Sequence, residues 1–263
     1  MSTNILEKIV ASKFGEVSNR KQQIAVAQLE AMPLFGQRPI SLKNNLLDPT
    51  KTGIIAEFKR QSPSKGVINA TATVADVTKA YTQFGAAGVS VLTDGPYFGG
   101  SLEDLSIAIQ NPIPVLRKEF IIDEFQIIEA KAYGAAVILL IAACLTPGET
   151  KKLALAAKQL GLEVLLELHD QTELAHICEE VDLVGINNRS LKSFEVNIEH
   201  SLRLKDMLPK GILSIAESGI YDLATFQLLK KEGFDGFLMG EFFMKQANPA
   251  KAFEEFSKQI NHK

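Results

Sequence analysis

The sequence has few of the residues that form disulfides and metal sites. Its 263 residues include two cysteines, Cys144 and Cys178, and neither is part of a CxxC pair. The four histidines show no metal-ligand spacing, and no serine and aspartate combine with them into a hydrolytic triad pattern. We therefore predict two reduced, buried thiols, and neither a disulfide nor a bound metal.

Signatures of nucleotide, nucleic-acid and membrane binding are also missing. Neither a GxGxxG nor a GxxxxGKS/T run occurs, and the net charge is -3 with lysines scattered rather than clustered. The longest apolar run, residues 135–145, is shorter than the roughly 20 residues that cross a bilayer. The first residues lack the basic start and apolar core of a secretory signal. These absences predict no nucleic-acid partner, no membrane segment and a cytoplasmic location.

What the sequence does contain is one pattern that recurs after residue 50. A short apolar run, often β-branched, is followed by a polar or glycine-containing link and then by an amphipathic segment of helical period. Eight such runs occur, at residues 54–58, 89–93, 114–118, 136–141, 163–167, 183–187, 213–217 and 236–239. Helix-start signals follow several of them, at Thr73, Ser101, Thr146 and Asp170. The pattern predicts eight βα units with parallel strands that are buried on both faces.

Eight consecutive βα units are the number at which a parallel sheet closes into a barrel. No linker rich in proline, serine or glycine divides residues 50–263. We therefore predict an α/β protein with the (β/α)8 TIM-barrel fold, in which residues 1–263 form a single barrel domain.

Residues 1–50 are predicted to be a helical N-terminal extension of the barrel. A helix is expected over residues 4–29, with an apolar side formed by Ile5, Ile9, Val10 and Phe14. Such an extension would cap one end of the barrel.

Charged and polar side chains close five of the predicted strands. They are Glu57, Lys59, Lys118, Glu167, Asn187 and Glu217. An uncompensated charge inside a sheet costs several kcal/mol, so these groups must face each other or a polar cavity. In a barrel, the carboxyl ends of the strands converge on one mouth, where catalytic groups lie. We predict an active site there. Structural ion pairs are the alternative, and for Glu217 both roles stay open.

Two glycine-containing loops follow the last two strands. Ser218 and Gly219 come after the seventh strand, and Gly240 and Glu241 after the eighth. In many barrels these loops bind a phosphate through backbone N–H groups. A single such turn is usually an ordinary turn, but the two together predict a phosphorylated small-molecule substrate. Only the backbone of Glu241 is expected to contribute, because its carboxylate would repel a phosphate.

Two further groups of residues are expected around the mouth. The polar link SPSKG, residues 62–66, is predicted to be a mobile loop in which Ser62 faces the substrate; an ordinary surface turn is the alternative, most of all for Ser64. An apolar wall is predicted from Phe98, Phe120, Leu139, Ile141 and Leu191.

Several of these stretches resemble the indole-3-glycerol-phosphate synthases of tryptophan biosynthesis. The matching motifs are IIAEFK (54–59) with SPSKG (62–66), LRKEFIID (116–123), GINNR (185–189) and AESGI (216–220). The likeness spans nearly the entire chain. Phe58, where a smaller aliphatic is usual, and the stretch 95–97 depart from the family pattern without touching a charged position.

The resemblance implies a cofactor-independent carboxy-lyase. The family's substrate, 1-(2-carboxyphenylamino)-1-deoxyribulose 5-phosphate, closes an indole ring with loss of carbon dioxide and water. By resemblance, Lys118 is the general acid and Glu167 stabilises positive charge, while Lys59, Glu57 and Glu167 share the dehydration. Also by resemblance, Asn187 and Arg189 orient the substrate. The residues that surround its polar tail and phosphate are then Ser62, Ser218, Gly219, Gly240 and Glu241.

Two other functions remain compatible with parts of the pattern. An isomerase of the same pathway would also use a barrel with a phosphate site, but it needs one acid and base pair rather than two lysines at strand ends. A non-enzymatic phosphosugar-binding protein would account for the phosphate loops and leave the charged strand ends unexplained. The sequence indicates no particular partner enzyme.

Overall fold

The computed structural model describes residues 5–189 and 195–261. Eight parallel strands form a closed barrel: β1 Ile54–Phe58, β2 Gly88–Leu92, β3 Val115–Lys118, β4 Val137–Ile141, β5 Glu163–Leu168, β6 Leu183–Asn187, β7 Leu213–Glu217 and β8 Gly236–Met239. Each strand pairs with the next one in the chain, and β8 pairs with β1 to close the barrel. The predicted TIM barrel is confirmed, and the predicted strand bounds differ from the observed ones by at most one residue.

Helices connect the strands and precede the first of them. They are α1 Ile5–Gln23, α2 Val26–Glu30, α3 Leu42–Leu47, α4 Val74–Gln83, α5 Gly95–Phe98, α6 Leu102–Ala108, α7 Glu124–Ala132, α8 Pro147–Gln159, α9 Ile198–Lys205, α10 Leu223–Lys231, α11 Glu241–Met244 and α12 Pro249–Asn261. Short 3-10 helices lie at Ala142–Cys144 and Gln171–His176. After β1, Gln61–Ser62 pairs with Gly66–Val67 in a small antiparallel hairpin.

Polar side chains begin most of these helices where the sequence indicates. The hydroxyls of Thr73, Ser101 and Thr146 each accept the N–H of the residue three positions later, as helix caps do. The carboxylate of Asp170 instead accepts the N–H of Thr172, two positions later, and a 3-10 helix follows rather than the expected α-helix.

The strands divide their side chains between two apolar cores. One core lies between the barrel and its helices, and Phe58 of β1 is buried there. The other fills the barrel interior and includes Ile55, Leu116, Leu165 and Ile215. Side chains of a strand alternate between its faces, so the residue two positions beyond each of these four also points inward. Those residues are Glu57, Lys118, Glu167 and Glu217.

The N-terminal extension closes both ends of the barrel, not one as expected. At the amino ends of the strands, Leu42 and Leu46 of α3 join the interior core. There the carboxylate of Glu163, which begins β5, accepts the N–H groups of Leu42 and Lys43, so it stabilises the start of α3. At the opposite end, α1 lies over the recess described below.

The helix expected over residues 4–29 is two helices, because α1 ends at Gln23 and α2 begins at Val26. The apolar side was predicted wrongly at Phe14, whose surface is 62% exposed. The buried side of α1 contains Leu6, Ile9 and Val17 and also a lysine, Lys13.

Three features of the described part of the chain concern its cysteines, possible metal ligands and possible membrane spans. Cys144 and Cys178 are free thiols, but they are partly rather than fully buried, and burial raises the pKa of Cys144 to about 12. Among the described residues, no group of histidine, cysteine and acidic side chains is arranged to hold a metal ion. No described helix is both long and apolar enough to span a membrane.

Candidate active site

One recess at the carboxyl ends of the strands gathers the residues proposed for the site. It is lined by Glu57, Lys59, Ser62, Phe98, Lys118, Phe120, Leu139, Ile141, Glu167, Asn187, Arg189, Glu217, Ser218, Gly219, Gly240 and Glu241. Leu191, the remaining member of the predicted apolar wall, lies outside the described residues. The polar strand ends of five strands therefore share one cavity.

The centre of the recess is an ammonium group between two carboxylates. Nζ of Lys118 lies 2.7 Å from Oε2 of Glu167 and 2.9 Å from Oε2 of Glu217. All three side chains are largely buried, and Nδ2 of Asn187 donates to Oε1 of Glu167 at 3.0 Å. Three strand ends thus hold one cation and two anions within hydrogen-bond distance.

These contacts shift the pKa values of the three groups in different directions. Burial acts to lower the pKa of Lys118, but Glu167 and Glu217 outweigh burial and raise it. Burial acts to raise the pKa of Glu167, yet the charge of Lys118 and the contact with His169 hold it well below its usual range. Burial, together with the nearby Glu167, raises the pKa of Glu217 to about 7. Glu167 is therefore the anion at neutral pH, while Glu217 is poised to exchange a proton.

A second ion pair lies beside this cluster on β1. Nζ of Lys59 is 2.7 Å from Oε1 of Glu57, and the lysine is the more exposed of the two. Glu57 has room because Gly240 lies opposite; a Cβ at Gly240 would come within 2.7 Å of the Glu57 carboxylate. Four strand ends, those of β1, β3, β5 and β7, therefore bring two ammonium groups and three carboxylates into the recess.

The opposite side of the recess is apolar. The rings of Phe98 and Phe120 pack with their centroids 5.9 Å apart, and Leu139 and Ile141 of β4 continue the surface. Such a wall suits a flat aromatic group.

Arg189 joins the loops at the edge of the recess. Its guanidinium donates to the hydroxyl of Tyr221 at 2.9 Å and to the hydroxyl of Ser64 at 3.3 Å, and it lies 3.1 Å from the Glu241 carboxylate. Ser218, with a φ of 65°, and Gly219, with a φ of 74°, turn sharply in the same region. Arg189 therefore lies among the loops expected to bind phosphate. Ser64, for which an ordinary surface turn was the alternative, lines the recess and contacts Arg189.

Comparison with known proteins agrees with this geometry. A family model described as Indole-3-glycerol phosphate synthase matches residues 6–256. A curated protein with that name from Bacteroides thetaiotaomicron is 44% identical over 260 residues, which cover 98% of this chain and 99% of the relative. The chain belongs to the indole-3-glycerol phosphate synthase family. A relative with the same name from Salinibacter ruber is 41% identical, over 95% of this chain and 93% of its own length.

Solved structures of other proteins have the same fold as this chain, although their sequence identity to it is low. A mutant tryptophan synthase alpha-subunit from Pyrococcus furiosus superposes with a TM-score of 0.61 at 13% identity, covering 80% of this chain and 98% of that chain. Orotidine 5'-phosphate decarboxylase from Pyrococcus horikoshii gives a TM-score of 0.56 at 14% identity, covering 72% of this chain and 93% of that one. These similarities show the barrel and nothing about its chemistry.

Helix α1 also lines the recess, which the sequence alone does not predict. Ile5, Leu6 and Ile9 line the recess beside the apolar wall. The helical spacing of Ile5 and Ile9 indicates an apolar side, but nothing in the sequence shows that this side covers the barrel mouth rather than its outer surface.

Lys13 of the same helix is bound behind the aromatic wall. Its Nζ lies 2.8 Å from Oδ2 of Asp94 and 3.1 Å from Oε1 of Glu119. Asp94 in turn accepts the N–H of Phe98, and Glu119 accepts the N–H of Phe120. One buried ammonium thus pairs with both of the carboxylates that accept the N–H groups of these aromatic residues.

The position of Glu217 depends on a glycine in the neighbouring strand, which leads to a prediction. A Cβ at Gly185 of β6 would lie 2.0 Å from Oε1 of Glu217, closer than any two such atoms can approach. We expect Gly185→Ala to displace Glu217 and to lower kcat by about 10²-fold, since an error of about 1 Å at a catalytic group costs that much. Overpacking should also lower the free energy of unfolding by about 1–3 kcal/mol. Steady-state kinetics and urea unfolding measure the two effects.

Gly148→Ala is the matched control, because no atom lies within 4 Å of a Cβ at that position in α8. We expect this variant to keep both wild-type turnover and stability. Wild-type kcat in Gly185→Ala would show that the position of Glu217 does not matter for turnover.

Proposed function

We propose that this chain catalyses the synthesis of indole-3-glycerol phosphate from 1-(2-carboxyphenylamino)-1-deoxyribulose 5-phosphate, as a carboxy-lyase. The observation that supports this best is the recess itself, in which two ammonium groups face three carboxylates beside an aromatic wall. Ring closure, loss of carbon dioxide and loss of water are steps that acids and bases can promote. We therefore propose that no cofactor takes part.

Lys118 is proposed as the general acid of ring closure. Forming the new carbon–carbon bond at the substrate ketone generates an alkoxide, which a buried ammonium can protonate while it stabilises the negative charge. Its two carboxylate partners keep Lys118 charged throughout the neutral range. The developing alkoxide is itself a strong base, so it can take the proton despite the raised pKa of Lys118.

Glu167 is proposed to stabilise the positive charge that builds on the anilino nitrogen as the ring closes. Its side chain is buried, its pKa is held low beside Lys118, and Asn187 donates to one of its oxygens. A fixed anion in a site that excludes water stabilises such a charge more strongly than water does.

Lys59 and Glu57 are proposed to act in the later steps. The ammonium of Lys59 is suited to hold the substrate carboxylate and then to protonate the departing hydroxyl, while a carboxylate takes the proton lost from the ring. Glu57 and Glu167 both line the recess, and either is proposed as that base. Glu217, with a pKa near neutrality, is suited to bind a substrate hydroxyl.

The sugar phosphate is proposed to lie at the loops after β7 and β8. Ser218, Gly219, Gly240 and Glu241 line this side of the recess, and no described residue accepts a hydrogen bond from the N–H of Gly219 or Gly240. Arg189 is close enough to replace its contact with Glu241 by one to the phosphate. The carboxyphenyl ring would then lie against Phe98 and Phe120.

An absorbance assay tests the proposal. Purified protein is mixed with the carboxyphenylamino substrate, and formation of the indole chromophore is followed together with release of carbon dioxide. We expect both signals in equal amounts and without added metal or cofactor. A protein that binds the substrate or isomerises a related phosphosugar, but forms no indole, would contradict the proposed activity.

A further inference from the structure

His169 lies directly behind one of the acids of the recess. It follows β5 and is two positions beyond Glu167, so the alternation along the strand turns both side chains to the same side. Nε2 of His169 is 3.2 Å from Oε1 of Glu167, and Nδ1 is 3.8 Å from Oε2 of Glu173. The His169 side chain is only 10% exposed.

The backbone of His169 is held on both sides. Its N–H donates to the Glu173 carboxylate at 2.6 Å, and its carbonyl oxygen lies 2.9 Å from Nε2 of His200. Because a carbonyl oxygen only accepts, Nε2 of His200 carries the proton of that hydrogen bond. These contacts fix the backbone of His169, and its imidazole ring lies between the carboxylates of Glu167 and Glu173.

This placement favours the charged form of His169. A neutral imidazole has one N–H and one lone pair, so one of its nitrogens would turn a lone pair toward a carboxylate oxygen. An imidazolium carries a proton on both nitrogens, so its positive charge faces both anions favourably at 3.2 and 3.8 Å. Although burial acts to lower it, the pKa of His169 is raised to about 10 by Glu167 and Glu173.

We propose that His169, as an imidazolium, is a positioning residue that keeps Glu167 ionised and aimed into the recess. The inference rests on the proposed function. One oxygen of Glu167 contacts Lys118, and the other contacts Asn187 and His169. When Lys118 turns to the substrate, a buried carboxylate without a cation would take up a proton. His169 remains beside Glu167 at that moment and opposes this protonation.

Other titratable groups surround this pair and are part of the same balance. Lys118 and Glu217 lie on the recess side of Glu167, while Glu173 faces the far side of the imidazole. Asp170 follows His169 in the chain, and His200 of α9 contacts the carbonyl oxygen of His169. Cys144, whose pKa burial raises to about 12, stays an uncharged thiol. Among these groups, His169 is the cation that does not contact the substrate in the proposed complex.

His169→Gln tests the proposal, because glutamine can still donate to Glu167 but carries no charge. We expect the acidic limb of the kcat profile to move to higher pH by about one unit or more, which is a loss of about tenfold on the acidic side. KM should change little, and kcat should approach the wild-type value at alkaline pH. A uniform loss at every pH with an unshifted limb, or an unchanged profile, would show a structural role only.

His176→Gln is the matched control. His176 is also buried in the connection after β5, and it contacts the carbonyl oxygens of Glu173 and Leu145 rather than a side chain of the recess. We expect its kcat profile to keep the wild-type acidic limb. The wild-type assay distinguishes the two proposals. If the wild-type protein forms no indole, the proposed activity is contradicted. If the wild-type protein is active and His169→Gln keeps the wild-type acidic limb, the inference about His169 is contradicted.

Nitrogen NMR of the wild-type protein supplies a test that does not depend on the variant folding. Both ring nitrogens of His169 should show the shifts of a protonated imidazolium through about pH 6 to 8, where an ordinary histidine loses its charge. A ring that titrates to the neutral form within that range overturns the proposal.

Discussion

The Lys118→Ala variant is expected to lose roughly 10²–10⁴-fold of kcat or more, because general acid catalysis and stabilisation of the alkoxide disappear together. Lys118 is the ammonium between Glu167 and Glu217 at 2.7 and 2.9 Å, and alanine leaves nothing to replace its proton or its charge. Binding through the phosphate loops and the aromatic wall remains, so KM should change far less than kcat. Steady-state kinetics with the indole absorbance assay measure both constants.

The same substitution leaves two buried carboxylates without their cation, which by itself can cost about 3–5 kcal/mol of stability. The double variant Lys118→Ala with Glu217→Gln separates this effect from the chemistry, since it removes one of the two negative charges. We expect it to regain stability in urea unfolding but not turnover.

Lys152→Ala, at a lysine that is 73% exposed on the surface, is the control and should behave as wild type. Near-wild-type turnover in Lys118→Ala would remove Lys118 from the mechanism.

Ser218→Asp is expected to raise KM by about tenfold or more, because a carboxylate about 4 Å from a phosphate repels it by roughly 1 kcal/mol in water and by about 4 kcal/mol near a protein surface. Ser218 adopts a left-handed backbone with a φ of 65°, a conformation that aspartate tolerates better than most residues. The effect should weaken as salt is added, since salt screens exposed charges. KM measured at low and high ionic strength checks both statements.

Ser218→Asn is the matched control for this charge. Asparagine has nearly the shape of aspartate and the same tolerance for a left-handed backbone, but it carries no charge. We expect its KM to stay close to the wild-type value. An equal rise in both variants would indicate crowding of the loop, and an unchanged KM in Ser218→Asp would place the phosphate elsewhere.

The barrel could be predicted because each strand repeats a local signal. Residues 137–141, for example, are all apolar, which is what burial on both faces requires. Charged groups at strand ends are conspicuous in such runs, and the topology of a barrel brings strand ends together. Glu57, Lys118 and Glu167 could therefore be assigned to one mouth, where the structure places them, while their catalytic roles remain predictions.

The parts that could not be predicted depend on contacts between segments far apart in the chain. Lys13 looks like a solvent-exposed helix residue, and only the fold shows that Asp94 and Glu119 surround it. The contacts of His169 with Glu167 and Glu173 are local in the chain, but they fit neither a metal-ligand spacing nor a hydrolytic triad. A histidine two positions after a strand-end acid is itself a signal, since strand alternation turns both side chains to the same side and lets them contact each other.

The buried ammonium of Lys13 makes the first helix and the aromatic side of the recess parts of one cooperative unit. If α1 detaches, Asp94 and Glu119 lose their shared cation, and the peptide groups of Phe98 and Phe120 lose fixed acceptors. Opening at either place therefore weakens the other. Amide hydrogens of α1 and of the loops that contain Phe98 and Phe120 should therefore exchange with solvent at similar rates. A ligand that stacks on the two rings should also slow exchange in α1, although it does not contact Lys13.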